Sequence, residues 1–496
     1  MPNAGDIGWI LPELVVLGSA LLLLLWTAVT RSDDRWGPTG IVVLSNAVAA
    51  LLIFLRQPAD GAALEVFSGQ LVIDGFSNFF RALFLAVASL AVVISTQRLE
   101  RVPFIETAAM IQFSLGGMLL MVGAVDWVMA LISLELMVVP VYVLTAMTRF
   151  RRRSVEAAMK YFVLGAFASA VLIYGIAWAY GLTGTTYLPE MARRLTASGN
   201  EPWVLFAVAM VLVAFGFKVA AVPFHAWTPD AYQGAPTPLV AFISVGPKIA
   251  AMALLARILT LAFEPLAANL SVAIAVIASA TMIIGNLVAI AQTDIKRMLG
   301  YSSIAHSGYM LVALAAVVES GDGMAFSGLP SMLFYGFVYA FMNFGAFAVA
   351  HVVEYQTGSN EISAFRGLAR RAAIPALGMA IFMFSLTGIP PLSGFLGKLY
   401  ILQSAVDANL GWLAILMVIT SVVSAFYYLR VVVNMFMVEP AEADAPGATG
   451  DGATSVITAD THSAVIAATA GVTLALGIIG GGLLVWAQSA VETGLL

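Results

Sequence analysis

The chain has 496 residues, 61 % of them hydrophobic and 10 % charged, with a net charge of −5, four histidines and no cysteine. Soluble chains are roughly 25 % charged, so a mean hydropathy of +0.96 excludes a soluble enzyme, a nucleic-acid binder and a disulfide scaffold. The missing cysteines exclude iron–sulfur ligation, thiolate chemistry and a sulfur-ligated zinc site in this chain.

A helix needs about 20 apolar residues to cross a bilayer. Fourteen stretches fit that template, beginning near residues 8, 37, 73, 104, 125, 156, 203, 237, 268, 301, 325, 373, 410 and 463. They lack strand-like alternation, which predicts an all-α polytopic membrane protein rather than a barrel. The leading MPNAGDIG lacks the basic region of a signal peptide, so the first stretch is read as a retained span. Basic residues gather in alternate connections: Arg31 and Arg35, then Arg98 and Arg101, then Arg149, Arg151, Arg152 and Arg153, then Lys296 and Arg297, then Arg366, Arg370 and Arg371. The opposite connections hold Arg56, Arg193 and Arg194 and little else. Positive charge favours the cytoplasmic side, so both termini are expected outside. Residues 183–202 read as an outside loop, and the acidic 439–462 as a flexible cytoplasmic one.

Ionisable groups within the spans stand out, because each costs about 2.5–3.5 kcal/mol at the bilayer centre. Glu135 lies in DWVMALISLELMVVPVYVL, roughly 15 Å deep at 1.5 Å per residue. Lys218 precedes Pro223 in span 7, Lys248 directly follows Pro247 in span 8, and Lys398 ends the broken run SLTGIPPLSGFLGK in span 12. Lys160, His225 and His306 are further candidates near span ends. Structural alternatives stand beside these readings. Lys160 fits a snorkelling lysine, His225 an interfacial histidine, His306 a packing residue, and Glu135, Lys218 and Lys248 a fixed buried ion pair. Arg257 and Arg430 read as helix-end residues, while Arg81 and Glu13 are candidates for pairing with neighbours.

Prolines add a second pattern. Pro223 predicts a break in span 7 just after Lys218, and Pro390 with Pro391, among Gly388, Gly394 and Gly397, a break in span 12 just before Lys398. Broken helices at membrane depth persist where freed backbone groups meet protein or water, and they mark ion pathways in inverted-repeat transporters. The breaks fall on the fourth member of two five-helix sets. This divides the chain into helices 1–3 (1–103), a first repeat (104–264), a second inverted repeat (265–438), and the acidic loop with helix 14 (439–496). Burial disfavours the charged forms of lysine and glutamate and pairing restores them, so these residues suit a proton relay. No phosphate loop is present, so the energy is expected from an ion gradient or a partner.

The stretches FKVAAVPFHAWTPDAYQGAPTPLVAFISVGPK (217–248), QTDIKRMLGYSSIAHSGYM (292–310), SLTGIPPLSGFLGK (385–398) and EAAMKYFVLGAFASAVLIYGIAWAYGLTGTT (156–186) resemble the antiporter-like membrane subunits of respiratory complex I, the NADH:quinone oxidoreductase. The resemblance implies that Glu135 is the helix 5 glutamate paired with the helix 7 Lys218. It makes Lys248 the central lysine and Lys398 the terminal one facing the outside half-channel, with His306 linking the half-channels. It also implies a bacterial inner-membrane protein with periplasmic termini, one non-redox module of a large complex. That module holds no cofactor of its own; FMN, iron–sulfur clusters and quinone belong to partner subunits. The expected partners are the neighbouring antiporter-like and small membrane subunits, lipids and, indirectly, the peripheral redox arm. Mrp-type cation/proton antiporter subunits share the Glu and Lys pattern and form the alternative, without redox coupling. An intramembrane hydrolase is a third class, for which the scattered histidines supply no motif.

Overall fold

The computed structural model describes residues 4–30, 34–58, 63–96, 102–198, 201–319, 328–439 and 460–494. Arg31, Arg98, Arg101 and most of the acidic 439–462 loop lie outside the described residues. The rest is almost wholly helical. Helices α1 (Ala4–Trp9), α2 (Leu11–Thr30) and α3 (Trp36–Leu55) lead into a short antiparallel hairpin, β1 (Leu64–Val66) and β2 (Leu71–Ile73), with Leu64 opposite Ile73. Then follow α4 (Gly75–Ile94), α5 (Phe104–Met121), α6 (Trp127–Thr145), α7 (Arg152–Thr183), α8 (Leu188–Ser198), α9 (Glu201–Lys218), α10 (Trp227–Gly234), α11 (Thr237–Ile243) and α12 (Gly246–Leu261). The second half comprises α13 (Ala267–Ile290), α14 (Ile295–Glu319), α15 (Gly328–Thr357), α16 (Leu368–Arg371), α17 (Ala373–Thr387), α18 (Ser393–Asp407), α19 (Gly411–Phe436), α20 (Asp460–Ile479) and α21 (Gly481–Glu492).

Every expected span begins within two turns of a helix. Among the described residues eleven helical segments, with α11 and α12 taken as one, are long and apolar enough to cross a membrane, where fourteen spans are expected. The other three are α9, α14 and the α17–α18 pair, each shorter or more polar because it carries the breaks and buried polar residues of interest. Residues 183–202 are not simply a loop. They contain the amphipathic α8, and the hairpin at 64–73 was likewise not foreseen.

Local chemistry explains several boundaries. Asp74 accepts from the backbone of Ser77 while the Ser77 hydroxyl accepts from Asp74 N, a capping box that starts α4. Asp126 accepts from Val128 N and Met129 N to start α6, and Asp294 does the same for α14 through Lys296 N and Arg297 N. The α11–α12 unit and α15 are the most enclosed elements, whereas α2, α7, α19 and α20 turn much of their apolar surface outward, as lipid-facing helices do.

Two ion pairs in the apolar interior tie α4 to its neighbours, one to α2 and one to α12. Arg81 of α4 meets Glu13 of α2 at 2.8 Å, so these two residues pair with each other. Arg257 is not the ordinary helix-end residue expected. It is fully buried, its Nη2 reaches the Asp74 carboxylate at 2.9 Å, its Nε donates to Val122 O at 3.1 Å, and its guanidinium lies 4.8 Å from the Phe76 ring centroid. Arg430 lies near a helix end as expected, donating to the carbonyls of Ile290 and Gln292 just beyond α13. Removing one partner of a buried pair strands the other charge at about 3–5 kcal/mol. Arg257→Ala is therefore expected to lower the thermal unfolding midpoint of the detergent-purified assembly markedly. The double variant Arg257→Met with Asp74→Asn is expected to lie closer to wild type in the same melt.

Candidate functional site

Three of the buried lysines among the described residues, Lys218, Lys248 and Lys398, stand at or near a helix interruption within the bundle. Lys218 is the last residue of α9, before an irregular segment, residues 219–226, that ends at α10. Ala220 there adopts a left-handed φ of 60°. The freed backbone is satisfied internally: Trp227 Nε1 donates to Phe217 O at 2.9 Å and Val222 N to the Thr281 hydroxyl at 3.0 Å. Lys398 lies in the second turn of α18, beyond a break that opens at Gly388, whose φ of +93° suits glycine. A Cβ at Gly388 would lie 3.1 Å from Lys398 Cδ, and one at Gly394 would lie 1.9 Å from Ser385 O, so glycine is required at both positions.

Both expected breaks are present, and a third was missed. Span 8 is interrupted at Ser244 and Val245, and Lys248 stands in the first turn of the new helix, immediately after Gly246 and Pro247. The Gly246–Pro247 dipeptide was the available signal, because proline is tolerated in a first helical turn and disruptive inside a helix. This interruption has no counterpart in α19, the fifth member of the second set, which runs unbroken.

Each ammonium has a distinct oxygen shell. Lys218 Nζ donates to the Ser169 hydroxyl at 3.3 Å, and that hydroxyl donates to Glu135 Oε1 at 2.6 Å. Ser169 of α7, which stands between α6 and α9, thus bridges the expected Glu135–Lys218 pair. Lys248, 1 % exposed, donates to the Ser303 hydroxyl and carbonyl, and Tyr339 OH donates to the same hydroxyl at 2.8 Å. Lys398 Nζ reaches the carbonyls of Leu386 (2.8 Å) and Thr387 (2.9 Å), the last of α17, and the Ser421 hydroxyl of α19 (2.7 Å). It thereby satisfies carbonyls that the break leaves without helical partners.

His306 lies between these lysines along α14. Its Nδ1 is hydrogen-bonded to Tyr335 OH at 2.5 Å and its Nε2 to Tyr428 OH at 3.0 Å, and Tyr428 is in turn bonded to Ser302. Ser302, His306 and Tyr309 recur at i, i+4 and i+7, which puts them on one face of α14. The ring of Tyr309 lies 4.9 Å from Lys398 Nζ, and its hydroxyl accepts from Asn286, which also accepts from Tyr427. Ser303, the residue that meets Lys248, adjoins this face and lies one turn before His306, so this stretch of α14 carries polar groups from the Lys248 shell to the Lys398 shell. No hydrogen bond joins Lys218 to Lys248 among the described residues. The serines and tyrosines were missed because neither residue type is unusual in a membrane helix; YSSIAHSGY and the pair Tyr427–Tyr428 are the recoverable signals.

Two candidates are not brought into this row. Lys160 is 47 % exposed and pairs with Glu156 and Asp230, each at 2.9 Å; Asp230 also holds Arg297 at 2.8 Å. His225 lies half-buried in the first break, apart from the lysine shells.

Interrupted helices closing on a buried row of lysines define a polytopic membrane subunit of the ion-translocating class. The family model "NADH:quinone oxidoreductase/Mrp antiporter, TM" matches residues 124–424. The chain is 42 % identical to NADH-quinone oxidoreductase subunit N 1 of Solibacter usitatus over 89 % of this chain and 90 % of that one. It is 40 % identical to NADH-quinone oxidoreductase subunit N of Trichlorobacter lovleyi over 97 % and 96 %. It superposes on a chain of respiratory complex I from Thermus thermophilus with a TM-score of 0.79 and 31 % identity, covering 97 % of this chain and all of that one. The chain belongs to the NADH-quinone oxidoreductase subunit N family.

The serine bridge generates a prediction. Ser169→Ala removes the hydroxyl that links Glu135 to Lys218, and hydrogen bonds to charged groups contribute about 1.5–3 kcal/mol. Proton pumping by the assembled complex in vesicles is expected to fall roughly tenfold or more, with Ser169→Thr retaining most of it.

Proposed function

We propose a path for the protons that this membrane subunit of NADH:quinone oxidoreductase moves. The path begins at Glu135 and Lys218, continues through Lys248 and along the α14 face through His306, and ends at Lys398. The observation that carries it is the stretch of α14 that joins two buried ammonium shells, with Ser303 at one end, His306 between and Tyr309 at the other. Each station has a hydroxyl or imidazole within hydrogen-bond reach, and water bridges the interval between Lys218 and Lys248, as buried polar routes require.

In this reading electron transfer in partner subunits changes the field at Glu135 and Lys218. Ser169 transmits the change because it bonds to both. A proton then leaves Lys218 for Lys248, passes the imidazole, which accepts at one nitrogen and donates from the other, and departs from Lys398 past Ser421. Redox chemistry belongs to the partners: with no cysteine the chain offers no thiolate for a cluster. The two five-helix sets, 104–264 and 265–438, are inverted repeats in this reading. The basic connections face the cytoplasm, which places both termini on the periplasmic side of the inner membrane. The names carried by its 40 % identical relatives favour this role over an Mrp-type antiporter.

The test uses the whole complex in inverted membrane vesicles. Lys218→Ala, Lys248→Ala and Lys398→Ala are each expected to reduce NADH-driven proton uptake by about an order of magnitude or more, with the complex still assembled. Full pumping in any of the three removes that residue from the path. Purification through a tag on this chain is expected to bring down flavin- and cluster-bearing proteins. Recovery without them would favour the antiporter reading.

A further inference from the structure

A cavity of about 320 Å³ opens where the start of α7, the α10–α11 junction, the start of α14 and the end of α15 meet, at the end of the bundle carrying the basic connections. Arg151, Arg153, Gln233, Lys296, Glu354 and Asn360 line it. Glu354 is the carboxylate of this lining. One of its oxygens accepts from Asn360 Nδ2 at 2.9 Å and the other from the hydroxyl of Thr237, the first residue of α11. Lys296, 2 % exposed, is anchored to Ala235 O at 2.6 Å beside it.

From this mouth α15 leads inward along a ridge of polar residues. His351 follows Glu354 one turn deeper, with both ring nitrogens buried and unpaired among the described residues. Asn343 lies 11 residues before Glu354, about 16 Å along the helix. Its Nδ2 donates to the Ser244 hydroxyl at 2.8 Å, while its Oδ1 is buried without a partner among the described residues. Ser244 closes α11 at the third break, and Lys248 stands one turn beyond. Tyr339, one turn deeper than Asn343, donates to the Ser303 hydroxyl that also meets Lys248. Buried polar groups without partners are seldom left so, and these lie on one ridge between an open cavity and a buried lysine. The apolar member of the ridge, Phe347, packs edge-on against Tyr232 with centroids 6.0 Å apart.

We propose that this cavity is a second proton-uptake mouth, with Glu354 as its first acceptor and the α15 ridge as its route to Lys248, independent of Glu135 and Lys218. The groups facing Glu354 are Lys296 of α14, Arg151 and Arg153 at the start of α7, and His351 of α15, with His462 of α20 next to His351 at 5.3 Å between ring centroids. The route rests on Lys248 serving in the relay.

Three variants of the intact complex in native membrane vesicles separate the two readings. Glu354→Gln keeps the shape, with its amide oxygen accepting from Asn360 and its amide nitrogen donating to the Thr237 hydroxyl, but cannot carry a proton. It is expected to lower NADH-driven pumping several-fold, with a deeper loss as the pH on the uptake side rises, while Glu354→Asp retains most of the rate. Asn343→Leu closes the ridge while leaving the mouth intact and is expected to act similarly. Wild-type pumping in Glu354→Gln beside an impaired Lys248→Met overturns the mouth and leaves the relay standing. An impaired Glu354→Gln beside an unaffected Asn343→Leu overturns the α15 route. Unimpaired pumping in Lys248→Met overturns the relay itself. Glu354→Gln, being nearly isosteric, decides the mouth even where Asn343→Leu fails to assemble.

Discussion

An ammonium group inside an apolar bundle persists only where oxygen atoms surround it, and that constraint organises this molecule. The three lysines are met by Ser169, by Ser303, and by two backbone carbonyls with Ser421. None of these shells is a carboxylate in direct contact, so each lysine is solvated by groups that also bond to something further along. A direct ion pair would hold its charge in place, whereas a hydroxyl relays, because it donates and accepts at once.

The interruptions supply the room for these shells. A continuous helix spends its carbonyls internally and has none to offer a side chain. Breaking α17 from α18 frees Leu386 and Thr387, which are the atoms Lys398 uses. The break after α9 is closed by Trp227 and Thr281, and the one before α12 by Asn343 bonding to Ser244. Irregular backbone at depth is thus held by side chains of neighbouring helices, as a membrane interior demands. Away from these sites, rigidity comes from ordinary sources: the buried Arg257–Asp74 and Arg81–Glu13 pairs and Gln112, which bonds to Ser19, Ser45 and Asn46 to hold α2, α3 and α5 together.

Much of this was legible in the residues, and what escaped has physical reasons. Spans announce themselves by length and hydropathy, and Lys218, Lys248 and Lys398 by the cost of burying charge. Pro223 and Pro390–Pro391 mark two breaks because each removes a donor in mid-span. Pro247 was equally visible but was read only as a neighbour of Lys248, since it occupies a first turn, where proline does little harm. Ser169 escaped because only the packing of α6, α7 and α9 puts it between Glu135 and Lys218. Lys160 and His225, read as further candidates near span ends, lie apart from the lysine shells, because a span boundary read from hydropathy locates a side chain only to within a turn or so. Arg257 was under-read for the same reason. Its partner Asp74 is 183 residues away, a separation that local pattern does not reveal.

The position of each lysine relative to the nearest helix end has an electrical consequence. Aligned peptide dipoles make the start of a helix electropositive and its end electronegative, equivalent to about half a charge at each. Lys248 stands in the first turn of α12, whereas Lys398 reaches the last carbonyls of α17. The backbone thus presents opposite polarity to a positive charge at the two ends of the polar stretch of α14. The fold itself carries a standing field along the row, set by where the chain stops and restarts its helices. A change of field arriving from a neighbouring subunit would act on that built-in slope and need not create one.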